Sequence, residues 1–571
     1  MEADSATWPI ASHAVSDGRH VFAFVVAVCS FHIDCEQRRD ADVTPPDTTD
    51  TQVIPQTWKR PEWSGDQQWI NEYYRSVPDA DVAAATEDRL TSLATAHWEV
   101  GETRPTGEVC VDVREDQGST VLYVVTDDMP FLVSTLNTEI AAKWGGAELV
   151  VHPLLLATRD AETHELESLT RVPNISTASS GDTTAIPLIP PTQNVTARSS
   201  SGGRTESRIE SWIRIVLHRT LSEADREELR SYLGERLVPD VRRVDEDQDK
   251  MLAVTDELAR SLNGLHEIRF DDGSQLPDVD SAAEFLDWLR AGNFVFMGIK
   301  RYDLTVDGEE AALQSRPDTG LGLLRETGTE GHTQRLTGLG SLHARDREVL
   351  FVTKANRRSS IHRREYLDYI GIRIFAQDGT VTGEYLILGL FSRRAYSVPA
   401  HQTPLVRDKV QSVVERFGFL PDSHSARDLL GIIEDYPRDE LFHMTADELH
   451  DTASGVLGLN ERRQTRLFLR QDTFGRFMSA VVFLPRDRYN TSVRERIEEQ
   501  LQDVFQAEAI DFEVRLTSSS LARLFFRIRL PYTGEVRNQL PRGLRVVQEG
   551  VGYVLERVGV PQLQQVTHIG S

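Results

Sequence analysis

The densest group of chemically capable side chains is Lys354-Ala355-Asn356-Arg357-Arg358, followed closely by His362-Arg363-Arg364. Guanidinium forks and an ammonium gathered at a strand end suit an anion, either a nucleotide phosphate or a carboxylate from a partner domain. Lys354, Asn356, Arg357, Arg358 and His362 are therefore candidate ligand or interface residues, and a structural or interface role is the commoner use of such a cluster. Asp127 and Asp128 form a second candidate, ahead of Met129-Pro130-Phe131-Leu132-Val133. Carboxylates before a helix, then Pro at its first turn, stabilise the helix start. The third candidate is the turn holding Arg486, Asp487, Arg488 and Asn490. Asp487 can accept from backbone N–H groups of the turn, and Asn490 or Thr491 can cap the next helix. Two arginines on a tight turn suit carboxylates across an interface.

Other chemistries lack their patterns. A dinucleotide site needs Gly-x-Gly-x-x-Gly opening a helix after a strand. Gly320 and Gly322 lack the third glycine and the helix, as do Gly338 and Gly340. There is no P-loop, His-Glu-x-x-His or Gly-x-Ser-x-Gly. No catalytic, cofactor-binding or metal residue is assigned. The three cysteines, Cys29, Cys35 and Cys110, give no disulfide framework and no zinc pattern, which reads as reduced thiols in the cytoplasm. Net charge is −26; from Ser341 onward there are 32 basic and 30 acidic residues, so the first 340 carry −28. That field repels nucleic acid, and the basic cluster lacks interleaved aromatics. Val21–Cys29 is too short to span a bilayer and lacks a basic leader and cleavage site. The expected partners include neither nucleic acid nor membrane.

The elements that must position these residues fall into modules. Residues 1–64 read as a poorly ordered or disordered extension. Helices are expected over 66–74 and 79–97. Strands at 109–113 and 119–125 lead into the Asp127–Pro130 turn and an amphipathic helix, 131–144, with Leu132, Leu136, Ile140 and Trp144 at spacing four. A strand at 148–158 follows. The Ser/Thr/Pro/Gly-rich stretch 166–206 reads as a disordered insert. A strand at 211–219 and helices at 223–237 and 245–263 close a first α/β domain, 65–270.

A second α/β domain spans 280–400, with a helix at 282–290 and strands at 294–303, 348–354, 369–376 and 382–391. A short helix is expected beside Lys354–Arg364. The segment 403–458 is helical, with helices at 403–417, 425–435 and 445–457; Ser425 and Thr445 are N-cap candidates and Gly458 a stop. A further α/β domain, 461–530, repeats the plan of the first, each with helices on one face of its sheet. Residues 531–571 form a divergent tail.

Several segments together resemble one family, the bacterial large NAD-specific glutamate dehydrogenases. They are Val124–Val133, Val150-Val151-His152-Pro153, Phe294–Gly298, Thr319–Arg325, Thr353–Ser359 and Tyr366–Gly371. Tyr436-Pro437-Arg438-Asp439-Glu440-Leu441-Phe442 and Pro485-Arg486-Asp487-Arg488-Tyr489-Asn490-Thr491 are the strongest. The resemblance runs from about Ile70 to about Arg529. It implies α+β or α/β sandwich modules of the ACT-like type, linked by helical segments in a multi-domain chain. In ACT domains the turn between first strand and first helix holds an amino-acid ligand and favours glycine where Phe131 stands.

The resemblance further implies a regulatory and assembly segment, whose parent converts glutamate and NAD to 2-oxoglutarate, ammonium and NADH. It implies homo-oligomer contacts in the parent and a small amino-acid effector. NAD would serve the full-length enzyme; the catalytic lysines have no match here, so this chain alone is expected to be inactive. Residues 541–571 match nothing expected of the family, which a truncated or frameshifted frame would explain. The alternative is a stand-alone ACT-type amino-acid sensor or an interaction scaffold.

Overall fold

Alternating apolar residues build three antiparallel sheets, and helices with apolar stripes close over them. The structure, a computed structural model, describes residues 58–172, 204–270, 273–308, 310–326, 332–336, 339–459, 465–516 and 520–531, with the backbone of strands at 195–198, 544–549, 552–557 and 567–569. Expectations for residues 1–57 and for the middle of the insert, 173–194, lie outside the described residues.

The chain from 60 onward opens with α1 (Trp69–Tyr73), α2 (Asp79–Ala83) and α3 (Glu87–Val100). The single helix expected over 79–97 is two, because the Thr86 hydroxyl accepts from Arg89 N and starts α3 afresh. Trp63, expected in a poorly ordered extension, stacks on Tyr74 and donates its indole N–H to Thr91.

The first sheet holds β1 (Cys110–Asp116), β2 (Ser119–Asp127), β3 (Ala147–Val151), β4 (Leu154–Asp160), β5 (Leu166–Arg171), β6 (Val195–Arg198) and β7 (Arg204–Leu217). Its path is β1-β2-β7-β4-β5, and long β7 also pairs β3 and β6. Helix α4 (Leu132–Trp144) follows β2; α5 (Glu223–Ser231), α6 (Val238–Glu246) and α7 (Gln248–Leu262) follow β7. The expected insert is corrected at both ends. Leu166 and Leu169 are buried in β5 against β4, and β7 begins at Arg204, so polar composition hid two paired strands.

The second sheet follows α8 (Val279–Trp288). It holds β8 (Phe294–Asp307), β9 (Glu310–Ser315), β10 (Leu321–Gly322), β11 (Thr333–Leu336), β12 (Leu350–Arg358), β13 (Tyr366–Phe375) and β14 (Val381–Phe391). Short α9 (Leu339–His343) precedes β12. The path is β11-β9-β8-β14-β13-β12, with β10 on β8. Between β12 and β13 lie bends, not the short helix expected there.

Five helices come next: α10 (Arg393–Ser397), α11 (Val406–Phe417), α12 (His424–Asp435), α13 (Arg438–His443) and α14 (Ala446–Leu457). The α12 cap is Ser423, not Ser425. Thr445 caps α14 in a full capping box with Glu448.

The third sheet holds β15 (Arg466–Gln471), β16 (Phe477–Pro485), β17 (Ala509–Leu516) and β18 (Leu521–Arg529), in the order β15-β16-β18-β17, with α15 (Thr491–Phe505) joining β16 to β17. In the tail, β19 (Leu544–Glu549), β20 (Gly552–Arg557) and β21 (Thr567–Ile569) pair with one another. Among the described residues no helix is long and apolar enough to cross a membrane.

The first and third sheets are covered on both faces, not on the one face expected. Leu122, Val124, Ile213 and Ile215 of the first sheet join Leu132, Leu136 and Ile140 of α4 in one core. The opposite face carries Tyr123 and Trp212, whose rings meet His97 of α3. In β16, Ala480, Val482 and Leu484 face Ile497, Leu501 and Phe505 of α15, while Val481 and Phe483 enter the core shared with the second sheet and the helical segment. A strand buried on both faces reads as an apolar run, as Phe477–Pro485 does.

Gly322 is held on two counts: its φ is +59°, and a Cβ there would lie 2.3 Å from Met297 O. Gly322→Ala should cost about 3 kcal/mol or more, combining left-handed backbone strain with a displaced β8 strand. Exposed Gly431 in α12 has nothing near its absent Cβ, so Gly431→Ala should stabilise by about 0.5–1 kcal/mol. Urea unfolding of both variants checks the pair; a Gly322→Ala cost below that of an ordinary surface change would refute the bracket.

Candidate functional site

Lys354 was read as part of a basic surface, yet it is only 4% exposed. In β12 it stands opposite Asp368 of β13, and its Nζ lies 2.7 Å from Asp368 Oδ1. The same Nζ is 2.9 Å from Asp439 Oδ2 in α13. Arg527 Nη2 of β18 reaches Asp439 Oδ2 at 2.9 Å, and the Tyr396 hydroxyl donates to Asp439 Oδ1 at 2.7 Å. The adjacent Glu440 accepts from Arg470 of β15, with Nε at 2.9 Å and Nη2 at 2.7 Å. Two consecutive carboxylates of one short helix thus join the second sheet, the helical segment and the third sheet. Arg476 Nη2 adds a bond to Lys354 O at 2.7 Å, and Arg358 Nη2 reaches Asp511 of β17 at 2.6 Å.

The electrostatics follow from burial and pairing. Burial alone would raise Asp439, but Lys354 and Arg527 outweigh it and hold the carboxyl far below the usual range. Burial likewise would raise Glu440, but the Arg470 charge and the hydrogen bond from His443 outweigh it. Asp368 goes the other way: burial, with the Asp439 charge beside it, pushes it up to about 6 against the pull of Lys354. Burial would lower Lys354, but its two carboxylates raise it, so it stays charged. Every formal charge here has an opposite partner, which suits holding modules together and leaves no poised nucleophile.

The other candidates are placed as follows. His362 is reached by the first module: Thr135 Oγ1 of α4 accepts from His362 N at 2.9 Å, and its ring lies 4.6 Å from that of Phe131. Burial, with Arg363 and Arg393 adding repulsion, pushes the imidazole down to about 4. Phe131 holds a left-handed φ of 65° at the start of α4 and packs on the core. Asp127 pairs with Arg104 at 2.8 Å and Arg242 at 3.4 Å. Asp128 accepts from the Ser211 hydroxyl at 2.7 Å.

Asn356 and Arg357 are exposed and apart from the ion junction. Arg486, Asp487 and Arg488 form an exposed 3-10 turn. The cap of α15 is Asn490, whose Oδ1 accepts from Val493 N at 2.9 Å. The structure therefore joins Lys354 and Arg358 in the three-module junction, sets His362 at the first-module joint, and leaves the 486–490 turn elsewhere. Sequence reasoning missed Asp368, Asp439, Glu440, Arg470 and Arg527. The one available signal was Asp439-Glu440 standing ahead of the apolar Leu441-Phe442 in Tyr436–Phe442. Among the described residues no group of three His, Cys, Asp or Glu could hold a metal ion.

Comparison with known proteins bears on this layout. Residues 69–233 match the glutamate dehydrogenase ACT1 domain, 403–462 its helical motif 1 and 466–540 its ACT2 domain. An NAD-specific glutamate dehydrogenase of Halomonas elongata is 31% identical over 474 residues, 81% of this chain and 27% of that protein. One from Mycobacterium tuberculosis is 31% identical over 330 residues, covering 57% of this chain and 19% of the relative. One from Pseudomonas aeruginosa is 31% identical over 255 residues, 44% and 16% respectively. The chain spans about a quarter or less of the length of these relatives.

Two predictions follow the geometry. Asn490→Ala should lower stability by about 1 kcal/mol, while Asp487→Ala should stay within about 0.5 kcal/mol, because only Asn490 satisfies a helix N–H. Equal effects in chemical unfolding would contradict the cap assignment. Glu440→Gln leaves the largely enclosed Arg470 without its counter-charge and should cost about 3–5 kcal/mol at neutral pH. Glu440 is depressed in the fold from an ordinary 4.5, so its contribution is present above that value and is lost as pH falls. The gap between wild type and Glu440→Gln should therefore narrow below pH 4.5, by up to about 1.4 kcal/mol per pH unit. A gap that stays constant from pH 7 to 3, in that same range as roughly sampled by melting curves, would refute it.

Proposed function

The chain belongs to the family of large NAD-specific glutamate dehydrogenases, and from that premise we propose that it forms a regulatory and assembly segment of such an enzyme. The reaction assigned to the whole enzyme is oxidation of glutamate by NAD to 2-oxoglutarate and ammonium, yielding NADH. The segment described here holds no part of that chemistry in this reading. Its sequence lacks a dinucleotide fingerprint, and the Gly320–Gly322 loop is a strand bracket. Gly322 N donates to Asp247 Oδ2 at 2.9 Å, and Arg325 Nη2 pairs with the same carboxylate at 2.7 Å, so the loop binds protein.

The observation that carries the proposal is the junction at Lys354, Asp439 and Glu440. Three modules share buried charges that cannot be separated cheaply, as expected of a segment whose task is to fix geometry. Homo-oligomer contacts and a small amino-acid effector are the partners proposed with it, and a cytoplasmic site is the location. Phe131 packed on His362 fills the turn after β2, which argues for such an effector away from that turn and counts against a free-standing sensor that uses it.

The purified chain, mixed with glutamate and NAD, should form no NADH above a protein-free control. Glutamate-dependent NADH formation that tracks the amount of chain would overturn the reading.

A further inference from the structure

Among the described residues six arginines are buried: Arg104, Arg159, Arg214, Arg373, Arg494 and Arg523. Four have carboxylate partners, and a fifth, Arg373, is bound by backbone carbonyls. Arg104 and Arg159 share Glu210, Arg494 takes Glu495 and Glu498, and Arg523 takes Glu513. Arg373 donates to the carbonyls of His343 and Glu348.

Arg214 of β7 differs. It is 2% exposed, and its Nε and Nη1 have no hydrogen-bond partner among the described residues. A guanidinium cannot shed its proton at any ordinary pH, so burial cannot neutralise it.

Among the described residues no carboxylate forms an ion pair with Arg214. Along the sheet Arg214 stands between Tyr123 of β2 and Val151 of β3. Above it lies the Tyr74 ring, its centroid 5.7 Å from the guanidinium carbon. The Tyr74 hydroxyl is within reach of Arg214 but gives its own proton to Leu90 O. The Tyr73 hydroxyl is committed to His97 Nδ1 at 2.8 Å. Burial lowers His97 to about 3, so it is neutral. Arg89 and Arg114, which bear on Tyr123, are paired with Asp116 and Asp112. Asp112 and Asp116 thus answer other cations.

We propose that the first module binds a small monovalent anion of the halide class at Arg214, between the sheet and the cover made by α1 and α3. One cation calls for one negative charge, which a monovalent ion supplies and a dianion exceeds. The anion would stabilise the folded state by mass action. This inference stands on the first module alone and does not depend on the proposed function.

Melting of the full chain should be compared in sodium chloride and in sodium gluconate at equal ionic strength. Wild type should melt several degrees higher in chloride, saturably, and Arg214→Met should lose that difference. Crystals of wild type grown in bromide should show an anomalous peak beside the Arg214 guanidinium. Equal melting of wild type in the two salts, or a chloride effect retained in Arg214→Met, would overturn the proposal. If Arg214→Met does not fold, the bromide position in wild type decides: a peak at Arg214 supports the site, and none there refutes it.

Discussion

One ammonium sets the arrangement of most of the molecule. Lys354 lies between Asp368 on its own sheet and Asp439 on the helical segment, and Asp439 passes the connection to Arg527 on the third sheet. An ion taken out of water costs several kcal/mol unless its partners are close and well aimed. The three elements must therefore meet within narrow tolerances. Glu440 repeats the constraint one residue later with Arg470, which fixes the rotation of α13 as well as its position.

Packing makes the same demand without charge. Side chains from the first sheet's inner face to Val481, Phe483 and Phe525 of the third sheet belong to one continuous core. Phe285, Phe391 and Phe442 bring α8, β14 and α13 together, with Phe391 and Phe442 stacked at 4.5 Å. The ACT-type modules are therefore not beads on a string. Each contributes one sheet face to an interior shared with its neighbours, and the helical segment fills the space between them.

The first module shows how a ligand-type turn can become a joint. Phe131 keeps the left-handed backbone that glycine adopts freely, at a cost of order 1 kcal/mol or more. Its ring meets His362, itself at a left-handed φ of 66°, and α4 hydroxyls bond the His362 backbone. Two strained residues face each other because the packing between them outweighs the strain. The joint is neutral, unlike the Lys354 junction, since burial lowers the His362 imidazole.

Local structure was legible where one turn of chain decides it. The Thr445 cap and the α4 stripe form as their residues dictate, and α14 ends before Gly458. Legibility failed where pairing partners are distant. The stretch 166–206 looked too polar to fold, yet its ends are strands because β4 accepts them. Lys354, Arg357 and Arg358 looked like one basic patch, but strand alternation and the neighbouring sheets send Lys354 inward, Arg358 to Asp511, and leave Arg357 outside. Asp439 and Glu440 drew notice only within the Tyr436–Phe442 segment, and tertiary packing gave each its cations. The sequence by itself determined the kinds of modules, their order and most helix ends, since periodicity and capping act over a few residues. Tertiary structure alone decided which charges are buried and which meet, because that depends on sheets brought together from residues as far apart as Asp439 and Arg527.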